Sequence, residues 1–347
     1  MSTKPTMRDV AAEAGVSTMT VSRVLTRPER VAEPTRRKVQ YVIDRLGYVP
    51  DRNAGSLSSQ RTGFVAAIMP SLRNSNFADT GRGLANTLRT AGYQPLFGFT
   101  DYRVAEEQAL VAAMLARRPE AFVLTGGYHT GATYRMLEQA AVPVVEIWDL
   151  PANPIGHAVG FSNFDTGRAM AAHLIAQGRR GIARLSRQAH DGFRDVRGDM
   201  RMAGASEALR AAGLRDDLTV TGGAGPVTFG HGAACIAALA DDGLLRGGRV
   251  DAVIAVSDLS AVGALTECQR RGIRVPDDLA IAGFGDFEIG ALSVPPISTV
   301  RVPCEEIGAL TGRMLIDLLA GTGPAERQVH DLGFEVIARR STGATGG

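Results

Sequence analysis

Short apolar runs alternate with amphipathic stretches over most of the chain, and this alternation limits the possible folds more than any other feature. Strands that alternate with helices form βαβ units around a parallel sheet. The alternation occurs in two series, so we expect two similar α/β lobes. The predicted strands lie at residues 64–69, 95–99, 121–125 and 142–147 in the first series, and at residues 181–185, 218–220, 252–256 and 279–284 in the second.

Basic charge is concentrated near the N-terminus. Residues 1–61 hold eleven Lys or Arg against six Asp or Glu, a net charge of +5, whereas the whole chain carries +2. The remaining residues therefore carry a net charge of about −3. A basic segment on an otherwise slightly acidic chain indicates a polyanion as the partner of that segment alone.

Length and cysteine usage set further limits. A chain of 347 residues suggests two or three compact units. Its three cysteines, Cys235, Cys268 and Cys304, are far apart, which predicts apolar packing residues in a reducing compartment and neither a metal site nor a disulfide framework. No apolar leader and no run of membrane-spanning length is present, so we expect a cytoplasmic protein without a membrane partner, and we expect no cofactor.

The pattern over residues 7–25 predicts two short helices on either side of Gly15. A glycine can adopt a positive φ and stop the first helix sharply, and Ser17 is the predicted N-cap of the second helix. A helix of this kind offers hydroxyl and N–H groups to phosphates, and the Arg23 guanidinium can bond guanine O6 and N7. The pattern therefore predicts a helix-turn-helix, with a helical hairpin that does not bind DNA as the alternative. The expected inward positions are Val10, Ala11, Ala14, Val16, Val21 and Val24.

A third helix is predicted over residues 35–46, preceded by Pro34 and ended by Gly47. The three basic residues at its start are either phosphate contacts or a solvated surface. The basic residues are Arg36, Arg37 and Lys38, and the expected inward residues are Val39, Val42, Ile43 and Leu46.

Residues 7–25, with TRRKV at 35–39 and LGYVP at 46–50, resemble the lactose-repressor (LacI) family, and the likeness continues along nearly the whole chain. In that family the first two residues of the recognition helix and a later arginine contact base edges in the major groove. Methionine at the second of these positions suggests an apolar contact such as a thymine methyl. The predicted DNA-binding residues of this head are Thr6, Ser17, Thr18, Met19, Thr20, Ser22, Arg23, Arg30 and Thr35.

Residues 51–62 are small and polar, and on physical grounds they form a linker, because Gly55 and three serines disfavour an isolated helix. The resemblance implies instead a hinge helix that folds on the operator. Leu57 would then insert into the minor groove at a central base step, with Ala54 close to the groove. Packing of Leu57 on the core is the alternative.

The resemblance also implies the architecture: an all-α helix-turn-helix head followed by a periplasmic-binding-protein-like α/β core of two lobes. We expect the head at residues 1–50, the hinge at 51–62 and the core at 63–347. The first lobe would hold about residues 63–162 and 294–322, and the second about residues 163–293 and 323–347. The expected crossings between the lobes lie near Asn163, Ser293 and Thr322.

Ligands of open α/β sheets bind beyond the carboxyl ends of the strands, so residues that follow the strands are candidates for effector binding. Arg201 matches an arginine that family members direct at the effector, and its planar fork suits a carboxylate or a vicinal polyol. Trp148 either stacks on a sugar or is an ordinary core aromatic, and Asp258 is either a ligand or a helix N-cap. The predicted effector residues are Ser71, Asn76, Phe77, Trp148, Asp149, Phe161, Arg201, Ser257, Asp258 and Asp286.

The identity of the effector is suggested by acidic residues that are missing at two positions of the predicted pocket. Gly285 and Trp148 stand where the family often has effector-binding acids, and a pocket that loses acids but keeps Arg201 favours an anion. The segments PVVE, AVGFSNF and AIAGFGDFEIG look most like the gluconate-utilisation repressor branch of the family. We therefore expect gluconate or a related aldonic or keto-aldonic acid, with another carbohydrate or a purine pathway as the alternative.

A helix-turn-helix reads one half-site, so a homodimer on palindromic double-stranded operator DNA is expected. The C-terminal residues contain no leucine heptad, which favours a dimer over a tetramer. Effector binding would shift the population of DNA-binding states, with the effector acting as inducer or as corepressor.

Other classes of protein fit less well. The chain contains no HExxH, GxSxG, P-loop or complete GxGxxG motif, so an enzyme is not expected. A sugar-binding solute receptor would share the core, but it would need an export signal and would have no use for a basic head.

Overall fold

The computed structural model describes residues 4–49, 62–73, 75–187, 192–223 and 227–343 of the chain. Contacts divide the chain into two compact units, Met1–Thr62 and Gly63–Gly347. Residues 50–61, which include the predicted hinge residues Ala54 and Leu57, lie outside the described residues.

The first unit is a small three-helix domain with its own apolar core. Gly15 and Gly47 both adopt left-handed conformations with φ 62° and end the first and third helices. The predicted inward residues of the head are buried or packed against this core. The all-helical head expected from the sequence is thus confirmed. Its helices are α1 (Met7–Ala14), α2 (Thr18–Thr26) and α3 (Glu33–Leu46), with a 3-10 turn at Pro28–Arg30.

The third helix begins earlier than predicted. It starts at Glu33, so Pro34 lies within its first turn and does not precede it. Proline fits there because the first N–H groups of a helix have no partner inside the helix and its fixed φ suits helical backbone.

The first lobe of the second unit contains a six-stranded parallel sheet with the strand order β11-β5-β4-β3-β1-β2. Its central strands are almost continuously buried, as expected for a parallel sheet with helices on both faces. The strands are β1 (Phe64–Met69), β2 (Gln94–Phe99), β3 (Ala121–Thr125), β4 (Val144–Ile147), β5 (His157–Gly160) and β11 (Val329–Asp331), with helices α4 (Ser75–Thr90), α5 (Val104–Leu115) and α6 (Gly131–Ala140).

The second lobe contains a four-stranded parallel sheet with the order β7-β6-β8-β9. The two-lobed α/β core predicted from the alternation is therefore confirmed. Its strands are β6 (Ile182–Ser186), β7 (Thr219–Thr221), β8 (Ala252–Ala255) and β9 (Ala280–Ala282), and its helices are α7 (Asn163–Ala176), α8 (Val196–Ala211), α9 (Phe229–Asp241), α10 (Asp258–Arg271) and α11 (Glu288–Leu292).

The C-terminal segment differs from the expectation. Residues 323–347 were expected in the second lobe, but β11 pairs with β5 and extends the first sheet. The chain then forms β12 (Glu335–Ile337), which pairs antiparallel with β10 (Thr299–Arg301). The final crossing therefore follows Asp331 and does not lie near Thr322. Strands β10, β11 and β12 lie outside the α/β alternation and pair with strands far away in the chain, so no local pattern located them. Helix α12 (Cys304–Ala320) lies between β10 and β11.

All three cysteines are unpaired and buried, in line with their expected role as packing residues. No helix in the described ranges is long and apolar enough to cross a membrane.

Helices α7 and α8 pack with their backbones in close contact through two glycines. A Cβ on Gly167 would lie 1.8 Å from the carbonyl oxygen of Arg201, and a Cβ on Gly204 would lie 1.9 Å from the carbonyl oxygen of Phe164. Both distances are far below a van der Waals contact with backbone atoms, which cannot move aside as a side chain can. The two glycines therefore fix where α8 lies, and with it the side chain of Arg201.

We predict that Gly167→Ala destabilises the protein by about 1–3 kcal/mol, because the added methyl group forces α7 and α8 apart. Urea denaturation of the full chain measures this change. Gly230→Ala is the matched control, since its nearest neighbour would be a hydroxyl 3.6 Å away. Equal stability of the two variants would contradict the close-packing argument.

Candidate DNA-binding and effector sites

Helix α2 presents the predicted recognition residues to solvent. Ser17 caps the helix, because its Oγ accepts a hydrogen bond of 3.1 Å from the Thr20 backbone N–H. Thr18 and Met19 follow in the first turn, and the Met19 side chain is 62 % exposed. Arg23 is exposed one turn further on. An exposed methionine in the first turn beside an exposed arginine is a surface able to contact base edges.

The remaining predicted DNA contacts of the head occupy several local environments. Thr6 caps α1 in a reciprocal capping box, with its N–H donating to Asp9 Oδ2 at 2.7 Å. The hydrogen bonds from Thr6 lower the pKa of Asp9. Ser22 is half-buried in α2, Arg30 is exposed next to Glu29, and Thr35 is half-buried in the first turn of α3. The structure places these side chains, and their contact with DNA stays a prediction.

The second unit contains a cleft with two neighbouring chambers, both lined by Tyr102. Both chambers open to solvent, and each holds just under 500 Å³ of space free of protein atoms when its open mouth is included. We call them the Arg201 chamber and the Glu107 chamber. The Arg201 chamber is lined by Ser71, Arg73, Tyr102, Asp195, Arg201, Val227, Val256, Ser257, Leu259 and Phe284. The Glu107 chamber is lined by Pro70, Thr100, Tyr102, Arg103, Val104, Glu107, Thr125, Gly126, Gly127, Tyr128, Asp149, Arg194, Val196 and Arg197.

The Arg201 guanidinium is almost completely buried, with 8 % of the residue exposed. Its Nη1 donates to Asn163 Oδ1 at 2.6 Å, and its Nη2 donates to the Val256 carbonyl at 3.3 Å. Its face lies over the Phe284 ring, 4.0 Å from the centroid. The Nε atom is buried and has no hydrogen-bond partner among the described residues. Burial lowers the pKa of Arg201, but an arginine remains charged in proteins.

Arg197 lies one turn before Arg201 on α8 and is equally buried, at 8 % exposure. Its Nη1 donates to the Thr125 carbonyl at 3.2 Å. Gly126 makes room for this contact, because it has φ 93° and a Cβ there would lie 2.7 Å from Nη1. Within the described ranges, neither Arg197 nor Arg201 has a carboxylate oxygen within 4.0 Å. Two adjacent buried cations without carboxylate partners form a site suited to an anion.

Three other predicted effector residues also line the cleft. Ser71 and Ser257 line the Arg201 chamber, and Asp149 lines the Glu107 chamber. Ser257 also caps α10, since its Oγ accepts a hydrogen bond from the Leu259 N–H at 3.3 Å. Asp149 is buried, and its Oδ1 accepts a hydrogen bond from the Leu150 N–H.

A second group of predicted effector residues packs behind the cleft. Trp148 is 2 % exposed, and its Nε1 donates to Thr80 Oγ1 at 3.1 Å. Its ring packs against those of Phe77 and Phe161, with centroid distances of 4.7 and 5.6 Å. Of the two interpretations of Trp148, this position favours the core aromatic. Asn76 is also buried, near the backbone of Gly285.

Two predicted acidic effector residues bind other parts of the protein. Asp258 accepts hydrogen bonds from the Phe287 N–H at 2.8 Å and from Thr299 Oγ1 at 2.7 Å. Asp258 is not the N-cap of α10, as one interpretation proposed, because Ser257 takes that position. Burial raises the pKa of Asp258 to about 6. Asp286 forms ion pairs with Arg301 and Arg339. Through these contacts, the two carboxylates connect α10 and the segment after β9 to β10.

Sequence reasoning missed much of the cleft. Thr100 and Tyr102 follow β2, and Thr125 to Tyr128 end or follow β3, so the rule about carboxyl ends of strands would have identified them. Glu107 lies inside α5, beyond the reach of that rule. Arg197 was detectable as the residue one helical turn before Arg201. The expectation that the pocket has lost its acids was wrong, because the cleft is also lined by the acids Glu107, Asp149 and Asp195.

A buried histidine joins two carboxylates behind the Glu107 chamber. His129 Nδ1 lies 2.7 Å from Glu107 Oε1, and His129 Nε2 lies 3.2 Å from Glu146 Oε1. Burial alone would lower the pKa of His129, but the hydrogen bonds and charges of Glu107 and Glu146 outweigh burial and raise it to about 9. At neutral pH the imidazolium therefore donates to both carboxylates.

A three-helix DNA-binding domain, followed in the chain by a two-lobed α/β core with a cationic cleft, defines a DNA-binding transcriptional regulator. Residues 6–51 match the model of the lacI family of bacterial regulatory proteins, and residues 171–342 match a periplasmic binding protein-like domain.

Full-length relatives support the same assignment. The HTH-type transcriptional regulator GntR of Pseudomonas aeruginosa is 36 % identical over 98 % of this chain and 96 % of its own. The protein of that name from Escherichia coli is 34 % identical over 95 % and 96 %. The crystal structure of transcription regulator GntR from Chromobacterium violaceum matches with a TM-score of 0.73 and 37 % identity, over 81 % of this chain and all of that one. This chain belongs to the lacI family of bacterial regulatory proteins, which confirms the family predicted from sequence.

We predict that the contribution of His129 to stability depends on pH. Because its pKa is raised from 6.5 to about 9 on folding, the contribution is complete below about pH 6.5 and is lost as the pH rises through about 9. The difference in free energy of unfolding between wild type and His129→Gln should therefore shrink by up to about 3 kcal/mol between pH 6.5 and 9.5. Urea denaturation at a series of pH values measures it, and a constant difference would refute the charged imidazolium.

Proposed function

We propose that this protein is a homodimeric repressor of sugar-acid catabolic genes. Its binding to a palindromic operator would be controlled by a gluconate-type acid in the core cleft. The observation that carries the effector class is the pair of buried guanidinium groups of Arg197 and Arg201, which lack a carboxylate partner in the described part of the chain. A buried charge without a partner is costly, and an effector carboxylate would remove that cost.

The rest of the cleft fits a polyhydroxylated carbon chain. Carboxylates of Asp149 and Asp195 and the hydroxyl groups of Thr125 and Ser257 line the chambers as hydrogen-bond partners for hydroxyls. Phe284 offers an apolar surface for the carbon chain. An anion with several hydroxyl groups is a sugar acid, in line with the resemblance to the gluconate-utilisation branch.

In this proposal the head supplies sequence recognition. Thr18, Met19 and Arg23 would contact base edges in each half-site, while Leu57 would insert into the minor groove and Ala54 would approach it. The effector would shift the population of the state that binds DNA by its differential affinity for the two states. We infer no catalytic role for the cleft, because the known members of the family are regulators.

We predict that Arg23→Ala weakens binding to a duplex selected by the wild-type protein from a random pool by about 10- to 100-fold, the value of one bidentate base contact. Binding to unselected DNA, which depends on phosphate contacts, should change little. Fluorescence anisotropy measures both affinities. Arg23→Lys is the control for charge and should also lose the preference, because lysine lacks the planar fork. An unchanged preference in Arg23→Ala would refute the proposed recognition.

We predict that the full chain binds gluconate or 2-ketogluconate and binds glucose more weakly. Arg201→Gln and Arg197→Gln should each weaken sugar-acid binding by at least about tenfold, the usual effect of losing a charge-assisted hydrogen bond. Isothermal titration calorimetry measures these affinities. Arg210→Gln on the exposed side of α8 is the matched control and should bind as the wild type does. Tighter binding of glucose than of either acid would overturn the sugar-acid assignment.

A further inference from the structure

Glu107 is nearly buried, at 7 % exposure, yet it lines the chamber named after it. Its Oε1 accepts a hydrogen bond from His129. Among the described residues its Oε2 has no hydrogen-bond partner, and it is not enclosed by protein. One oxygen of this carboxylate is therefore held by the protein, and the other is available to a molecule in the chamber.

A buried histidine and a second glutamate hold the Glu107 carboxylate in position. The His129 side chain is fully buried between Glu107 and Glu146, and Glu146 Oε2 also accepts a hydrogen bond of 2.6 Å from the Ile155 N–H. One cation between two anions leaves the group of three with a net charge of −1. A carboxylate held in this way can accept a hydrogen bond but cannot donate one. Its complement in a ligand is a hydroxyl group or an ammonium group, and a second carboxylate or a phosphate would be repelled.

The arginines of the cleft differ in burial, and this difference gives the ligand a direction. Arg197 and Arg201 are buried, so their attraction for an anion is weakly screened. Arg103 and Arg194 also line the Glu107 chamber, but both are exposed, so water and salt screen their charge. Both buried arginines lie on α8, with Arg197 in the lining of the Glu107 chamber and Arg201 in that of the neighbouring chamber. An anionic end held by Arg201 would leave the other end of the ligand to extend into the Glu107 chamber, towards the Glu107 carboxylate.

We propose that Glu107 is the specificity-determining acceptor for the hydroxyl end of the effector. With it, the cleft selects sugar acids that carry one anionic group over those that carry a second at the far end. His129 and Glu146 are positioning residues, because they hold the carboxylate without reaching the chamber. This inference rests on the proposed function, since it assumes that a sugar acid occupies the cleft.

The test compares ligands that differ only at the far end. Calorimetry of the full chain with D-gluconate, D-glucarate and 6-phosphogluconate sets a terminal hydroxyl against a terminal carboxylate and a terminal phosphate. The wild type should bind gluconate at least about tenfold more tightly than either D-glucarate or 6-phosphogluconate. Glu107→Gln should weaken gluconate binding by about tenfold and bring the three affinities close together, because the amide repels no anion. His129→Gln should reduce the selectivity in the same direction.

Glu106→Gln is the matched control, because Glu106 is the exposed neighbour of Glu107 on α5 and should leave the selectivity unchanged. Preference of the wild type for D-glucarate or 6-phosphogluconate over gluconate overturns the inference. This comparison does not depend on the folding of any variant. An unchanged selectivity in a folded Glu107→Gln also overturns it. If the wild type binds gluconate and Arg201→Gln abolishes that binding, the proposed function stands whatever Glu107→Gln shows. If the wild type binds no sugar acid, the proposed function and this inference both fall.

Discussion

The contact between α7 and α8 is the constraint on which the cleft depends. Gly167 and Gly204 let the two helix backbones touch, so α8 has one position against the second lobe. That position buries Arg197 and Arg201 on the side of α8 that faces the cleft. A side chain at either glycine would clash with the backbone of the other helix and push α8, with its guanidinium groups, away from α7.

The two buried guanidinium groups of the cleft lower the stability of the folded protein. Two buried guanidinium groups without carboxylate partners in the described ranges are only partly compensated by carbonyl and amide oxygens and by the ring of Phe284. In the proposed function, an anion that enters the cleft would remove this cost, and its binding would be coupled to the arrangement of the two lobes. In the Glu107–His129–Glu146 group, by contrast, the imidazolium pairs with both carboxylates and leaves a net charge of −1. One end of the cleft therefore attracts an anion strongly, and the other end offers a single fixed acceptor.

Local interactions made parts of the structure predictable. The end of α1 at Gly15, the cap at Ser17 and the inward valines of the head depend on residues only a few positions apart, so the sequence pattern locates them closely. The long buried strands of both sheets were also located to within about two residues. The short strands β10 to β12 were not, because they lie outside the α/β alternation and pair with partners distant in the chain.

The sequence by itself determined the class of the protein, which has a basic helix-turn-helix head and a two-lobed α/β core, and it singled out Arg201, which lines the cleft. Only the tertiary structure decided which strand-end residues meet in the cleft. It placed Trp148 in the core and tied Asp258 and Asp286 to β10, while it brought Glu107 to the cavity. The reason is physical. Burial and pairing depend on side chains that lie tens of residues apart in the chain, and no local pattern encodes the distances between them.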